Sequence, residues 1–183
     1  MRGSGRQERR RASDSVARII TREWLPQLFD ERIAQPLQIH RWAMNLMPTG
    51  EGYMGGGLYL APRDQLKLGQ LYLNGGVWNG SRIVSQGWVE QSVTPYGRFR
   101  PVIPRDVNHR YGLGWHIHDL VSGGRSYRMF SAEGAGGQFV IVIPALDMVV
   151  AIAGADYTSI DWYSWLFDVN QDYLIPAAVG GPS

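Results

Sequence analysis

His116 and His118 stand two residues apart in the stretch Tyr111-Gly-Leu-Gly-Trp-His-Ile-His. In an extended strand that spacing puts both imidazoles on one face, where they can share a metal ion. A stable site needs a third protein ligand, and the pattern around the pair supplies none. The two therefore read as a solvent-facing histidine pair, and no metal site is assigned. His40 and His109 lie in unpatterned segments without a visible partner and read as ordinary side chains. The other conspicuous group is Gly134-Ala135-Gly136-Gly137-Gln138. A glycine loop that cradles phosphate follows a strand and opens a helix; this one opens a strand, which excludes that role. Glycine at such a point lets a strand end approach a substrate backbone or a neighbouring helix, with N–H groups available to an oxyanion. A plain β-bulge accounts for the spacing equally well.

A search for a nucleophile ends quickly. A serine activated by a lysine one helical turn later requires Ser-x-x-Lys, so that the amine can take the hydroxyl proton. Lys67 is the only lysine in 183 residues, and the residue three before it is Asp64. Ser15-Val-Ala-Arg18 has the spacing, but a guanidinium stays protonated and cannot act as base. Tyr72-Leu-Asn74 imitates a Tyr-x-Asn element, yet it ends a leucine-rich helix and reads as packing. No Gly-x-Ser-x-Gly elbow is present. With no cysteine, thiolate nucleophiles, disulfides and thiolate-held metals are excluded as well.

The elements that would position these residues follow from pattern. Val16, Ile19, Ile20 and Trp24 recur at helical spacing, and Pro26 opens a second short helix carrying Leu28, Phe29 and Ile33. Residues 36–47 show no clear period and read as irregular. Five glycines between Gly50 and Gly57 suit a close backbone approach or a turn, and Leu58-Tyr59-Leu60 reads as a short buried piece. Pro62 and Gly75-Gly76 frame a helix, Asn79-Gly80 marks a hairpin, and Ser85 caps a helix to about Val93. Residues 95–110, with three prolines and four arginines, read as a surface loop. Strands are expected over 111–118 and 126–131. The β-branched runs 138–143 and 148–153 form a hairpin of two central strands with both faces covered. Ser159 caps a last helix with Ile160, Tyr163, Leu166, Phe167, Val169 and Tyr173 inward, ended by Pro176. Strands with helices before and after them in the chain give an α/β fold of α+β type, an antiparallel sheet flanked by helices.

Composition sets the outer limits. A 44% apolar, 19% charged chain of this length supports one hydrophobic core and is not a disordered polymer. The longest apolar stretch, 139–155, is broken by Pro144 and Asp147, so no membrane span is expected. The net charge of +2 hides an asymmetry: residues 1–12 carry +4, which leaves the rest at −2. A short arginine cluster without interleaved aromatics is weak evidence for a nucleic-acid site, so residues 1–12 read as a basic tail, either disordered and solvated or foreign to the domain, and no nucleic-acid partner is assigned. The tail also lacks the apolar segment of a secretory signal, and the compartment stays unassigned.

The blocks GGGLYLAPRDQLKLGQLYLNGGVWNGSRIVSQGWVEQS, YGLGW and GAGGQFVIVIPALDMVVAIAG, in that order, resemble the C-terminal portion of the serine β-lactamase-related proteins, a family of class C β-lactamases, D-alanyl-D-alanine carboxypeptidases and esterases. The resemblance covers about residues 25–175. It implies a β-lactamase/transpeptidase-like fold, here incomplete, and acyl transfer through a serine ester, needing no cofactor, on a small ester, amide or β-lactam-like substrate. It also implies that Ser-x-x-Lys and the Tyr-x-Asn element would precede LPQLFDERIAQPLQI. Residues 13–176 are then the C-terminal part of such a domain, 177–183 a loose tail, and the chain alone is expected to be inactive. The family's Lys-Thr-Gly or His-x-Gly strand would fall on Ala132-Glu133-Gly134, where only Gly134 matches. Glu133, Gly134, Ala135 and Gly136 are thereby implied as the oxyanion and substrate strand, with Ala135 presenting the second oxyanion N–H. The alternative is a non-catalytic interaction module whose seven tryptophans and 50–57 segment form a binding surface. On the first reading the family's N-terminal half would cover part of the sheet, so exposed apolar surface and self-association are expected of this chain.

Overall fold

The computed structural model describes residues 16–53 and 55–180. The basic tail expected over 1–12 lies outside them, as do residues 181–183 of the expected loose tail. Two compact units divide between Ala61 and Pro62.

In the first unit, helix α1 (Val16–Thr21) precedes α2 (Leu25–Phe29), which runs on into a π-type turn over Asp30–Ala34. Pro26 sits in the first turn of α2, where its missing N–H is no loss. The segment read as irregular contains a strand: β1 (Trp42–Met44) pairs antiparallel with β2 (Leu58–Leu60). A three-residue strand carries too little periodicity to show in sequence. Nor is Leu58-Tyr59-Leu60 buried, since both Leu58 and Tyr59 are exposed. Glu51, itself buried, pairs with Arg18, and Trp24 Nε1 donates to the Gly50 carbonyl at 2.8 Å.

The second unit opens with α3 (Pro62–Leu73), followed by the small hairpin β3 (Val77–Trp78) and β4 (Ser81–Arg82) and by α4 (Gln86–Ser92). The Ser85 hydroxyl accepts from the Trp88 N–H at 3.2 Å, the cap expected of it. The main sheet comprises β5 (Gly97–Arg98), β6 (Arg110–Tyr111), β7 (His116–Ser122), β8 (Arg125–Gly134), β9 (Gln138–Ile143) and β10 (Met148–Ala153). It is antiparallel throughout, in the order β10-β9-β8-β7-β6-β5.

Alternation assigns every second side chain to one face. On one side Leu120, Tyr127, Met129, Phe139, Ile141 and Ile143 pack against Tyr163, Leu166, Phe167 and Ile175 of the C-terminal helices. Each full burial of a large apolar side chain there contributes about 1.5–3 kcal/mol. On the other side Trp115, Ile117, Phe130 and Val142 meet Tyr72 and Leu73 of α3. Gly69 explains how closely α3 approaches: a Cβ at that position would lie 2.4 Å from Val149 Cγ1 and 3.0 Å from Val140 Cγ1. Tyr72 packs as read from sequence, its ring 4.5 Å from that of Trp115.

Three expectations need correction. Strand 148–153 is not central: β10 pairs only with β9 and forms an edge of the sheet among the described residues. The strand expected over 111–118 breaks at Gly112–Gly114, where Gly114 has φ +87°, so β6 and β7 are separate strands. The last helix is not one regular piece ended by Pro176. Ser159 Oγ accepts from the Asp161 N–H at 3.1 Å and opens a 3-10 turn over Asp161–Tyr163. Helix α5 (Ser164–Val169), a π-type turn over Asn170–Leu174 and α6 (Ile175–Gly180) follow. The wider turn rotates the apolar face, burying Ile175 and leaving Tyr173 exposed; Ile160 is exposed as well.

Candidate functional site

The register of β7 and β8 builds the site. His116 stands opposite Ser131 and His118 opposite Met129, so both imidazoles project from the face covered by the C-terminal helices, and Glu133 projects from the same face two residues past Ser131. The two imidazole planes are nearly parallel, at 6°, with centroids 6.3 Å apart. This is not a solvent-facing pair, because the His118 side chain is 1% exposed and that of His116 21%.

The segment read as a surface loop folds its polar residues inward at Asp106 and His109, both buried. Its ends are tied to the sheet by β5, by β6 and by Arg110, which contacts Asp119 at 2.8 Å. His109 is therefore no ordinary surface residue. Its ring lies 4.3 Å from that of His118 and 5.0 Å from that of His116, with Phe99 stacked on its outer side. Phe167 closes the cluster edge-on to His118 at 5.5 Å.

Asp106 organises the group. One carboxylate oxygen is 2.9 Å from His118 Nδ1; the other is 2.9 Å from His109 Nδ1, off the line of a good hydrogen bond. On its far side His118 Nε2 meets Glu133 Oε1 at 2.8 Å, and the Ser131 hydroxyl donates to the same oxygen at 2.7 Å. His109 Nε2 and His116 Nδ1 face each other at 2.7 Å, and His116 Nδ1 is 3.7 Å from Glu133 Oε2. One donor atom from each of His109, His116, His118 and Glu133 falls within 4.8 Å of all the others. Two further side chains that could ligate, His109 and Glu133, thus stand beside the pair that the sequence pattern offered.

Burial and pairing act against each other on every group here. Burial alone would push the carboxyls of Asp106 and Glu133 up, but their histidine contacts hold both below the usual carboxylate range. Burial would likewise lower His118; the two carboxylates on either side of its ring outweigh it and raise the imidazole. His116, with weaker partners, is lowered by burial. The Tyr163 phenol, buried beside Glu133 and Asp106, is pushed up.

The glycine group takes a different position. β8 runs to Gly134, which pairs with Gln138, and Ala135, Gly136 and Gly137 form the tight connection to β9. Gly136 (φ +78°) and Gly137 (φ +84°) occupy the left-handed region that other residues rarely adopt. Tyr157 lies over Gly136 and Trp165 over Gly137, close enough that a Cβ on either glycine would stand 2.7 Å from a ring carbon. The Gly137 and Gly136 carbonyls accept from Gly154 and Asp156 N–H at 2.9 and 3.2 Å. Ala135 is exposed at the tip. Of the four residues implied for the substrate strand, Gly134, Ala135 and Gly136 share this connection, while the Glu133 carboxylate turns into the histidine cluster. Asp106, His109 and Ser131 did not stand out in the sequence. The one available signal was Asp106-x-x-His109 shortly before a strand bearing two alternate histidines.

Comparison with known proteins agrees with this architecture. The sequence matches the Beta-lactamase family over residues 15–158. It is 29% identical over 128 residues to a 6-aminohexanoate-dimer hydrolase of Paenarthrobacter ureafaciens, covering 65% of this chain and 32% of that protein. A solved Bacillus anthracis structure named for 6-aminohexanoate-dimer hydrolase superimposes with a TM-score of 0.69 at 22% identity, over 89% of this chain and 40% of that one. A Mycobacterium bovis β-lactamase structure gives 0.66 at 19%, over 88% and 59%. At these identities the two structures speak for the fold alone. The chain spans about a third of the length of the curated relative. An antiparallel sheet between α3 and the C-terminal helices, matched along most of its sequence, places the chain in the β-lactamase family, whose β-lactamase/transpeptidase-like fold it shows in part.

Proposed function

We propose that these residues form one wall of an acyl-transfer site, whose serine nucleophile and lysine base are supplied by polypeptide outside residues 1–183. The observation that carries this reading is the family match over 15–158 in a sequence without Ser-x-x-Lys. Lys67, the only lysine, has Asp64 where a nucleophile would stand, and its Nζ pairs with that carboxylate at 2.8 Å. Gly134, Ala135 and Gly136 then form the stretch facing the substrate carbonyl, where backbone N–H groups stabilise a developing oxyanion. Glu133 anchors that stretch from behind through His118, and the exposed Tyr157 ring offers an apolar surface beside it. The substrate of the whole protein is a small ester or amide, and the relative's name, a hydrolase of a 6-aminohexanoate dimer, favours an amide.

The 183-residue protein, incubated with a fluorescent penicillin and separately with a fluorophosphonate, should keep its unmodified intact mass, because loss of nucleophile and base removes many orders of magnitude in rate. A covalent adduct that survives denaturation overturns this. The encoding DNA should contain an in-frame Ser-x-x-Lys upstream of Met1. A stop codon there, with a stable monomeric product, favours the non-catalytic interaction module built on the tryptophans and the 50–57 segment, although of the seven tryptophans only Trp24 and Trp88 are exposed.

A further inference from the structure

The histidine cluster goes beyond that reading and stands independently of it. We propose that His109, His116, His118 and Glu133 form a binding site for a transition-metal dication, with Zn2+ the best fit, and that Asp106 positions two of the imidazoles.

Four arguments converge. The donor set comes first: three imidazoles and a carboxylate match the nitrogen and oxygen ligands that zinc accepts in four-coordinate sites. Spacing is the second. With zinc–nitrogen bonds of about 2.0–2.1 Å, donors at the corners of a tetrahedron lie roughly 3.3 Å apart. The donor atoms, one from each residue, lie within 4.8 Å of one another, with His109 Nε2 2.7 Å from His116 Nδ1 and His118 Nε2 2.8 Å from Glu133 Oε1, so a bound ion would spread the hydrogen-bonded pairs and draw in the wider ones. Third, Asp106 hydrogen-bonds His118 Nδ1 and lies 2.9 Å from His109 Nδ1, so both rings present Nε2 on the side away from that carboxylate. A carboxylate behind the ligating histidine is the usual device for fixing ring orientation and basicity in zinc sites. Fourth, Asp106 and Glu133 place two negative charges where their side chains are 1% and 7% exposed, and one dication cancels them.

The ligands come from three segments: His109 from the 99–109 loop, His116 and His118 from β7, Glu133 from the end of β8. A bound ion therefore fastens the loop to the sheet and fixes the base of the Ala135–Gly137 connection. With all four positions taken by protein, the ion is structural in kind and not an activator of water.

The test titrates Co2+ and then Zn2+ into the full chain after treatment with a chelator. One equivalent of Co2+ should produce the visible absorption of a four-coordinate nitrogen and oxygen site, Zn2+ should abolish it by displacement, and Zn2+ should raise Tm. In the wild-type protein, side-chain 1H–15N spectra should show the rings of His109, His116 and His118 shifting with Zn2+ while His40 does not. H116Q should weaken Co2+ binding at least tenfold, D106N by 10–100-fold, and H40Q should leave it unchanged. No Co2+ band and no Tm change in the wild type overturns the proposal, and so does binding that H109Q and H116Q leave intact in folded protein. Should every variant unfold, the wild-type ring shifts decide. Unmoved cluster histidines mean a purely hydrogen-bonded network. None of these readouts depends on acylation, so the site fails or stands apart from the proposed function.

Discussion

Single residues show how tightly the layers are set. Gly69 leaves no room for a methyl group, because Val149 and Val140 are β-branched and stiff about χ1. Gly69→Ala should therefore lower stability by about 1–3 kcal/mol through overpacking, although alanine gains about 1 kcal/mol in helix propensity. Gly87, in α4, would meet nothing within 4 Å, so Gly87→Ala should raise stability by about 0.4–1 kcal/mol. Denaturant midpoints of the two variants, moving in opposite directions, check both. Asp156 is a second probe. Backbone N–H and hydroxyl donors of Thr158 and Ser159 hold its carboxyl down to about 2. A depressed carboxyl stabilises the fold above its unfolded value near 3.8, and that contribution is lost as pH falls through about 2. Carboxyl NMR should place its titration near 2, and Asp156→Asn should remove the local change in the 156–159 turn. The site was only partly legible at this scale. Alternation in β7 gave the shared face of His116 and His118, but their partners come from a loop without periodicity and from a strand fifteen residues on. Only the cross-strand register brings those together.

Among the elements, legibility followed local signals. Pro62, Gly75-Gly76 and Ser85 punctuate α3 and α4, and the structure places both helices where those residues put them. The runs 138–143 and 148–153 were plain as strands, yet their composition does not say which is flanked on both sides; β9 is, and β10 is not, among the described residues. The C-terminal helices were misread because a π-type turn inserts residues that a 3.6 period does not anticipate. The edge strand has a consequence of its own. Met148–Ala153 has no proline, lysine or other charge to discourage a further strand from pairing with it. In isolation the chain should self-associate through this edge, seen as concentration-dependent sedimentation, and Ala153→Lys, at an exposed position, should reduce it. Sedimentation as a monomer at all concentrations would rule this out.

For the molecule as a whole, the buried polar cluster sits where three chain segments meet on one face of the sheet. A slip of one residue between β7 and β8 would turn His116 and His118 to the side of Trp115 and Phe130, and Asp106 and Glu133 would both lose their hydrogen bonds to His118 inside the protein. An apolar contact tolerates such an error at modest cost, but a stranded buried carboxylate does not. The cluster thus discriminates between alignments of the hairpin: the native one alone gives these enclosed carboxylates their His118 partner.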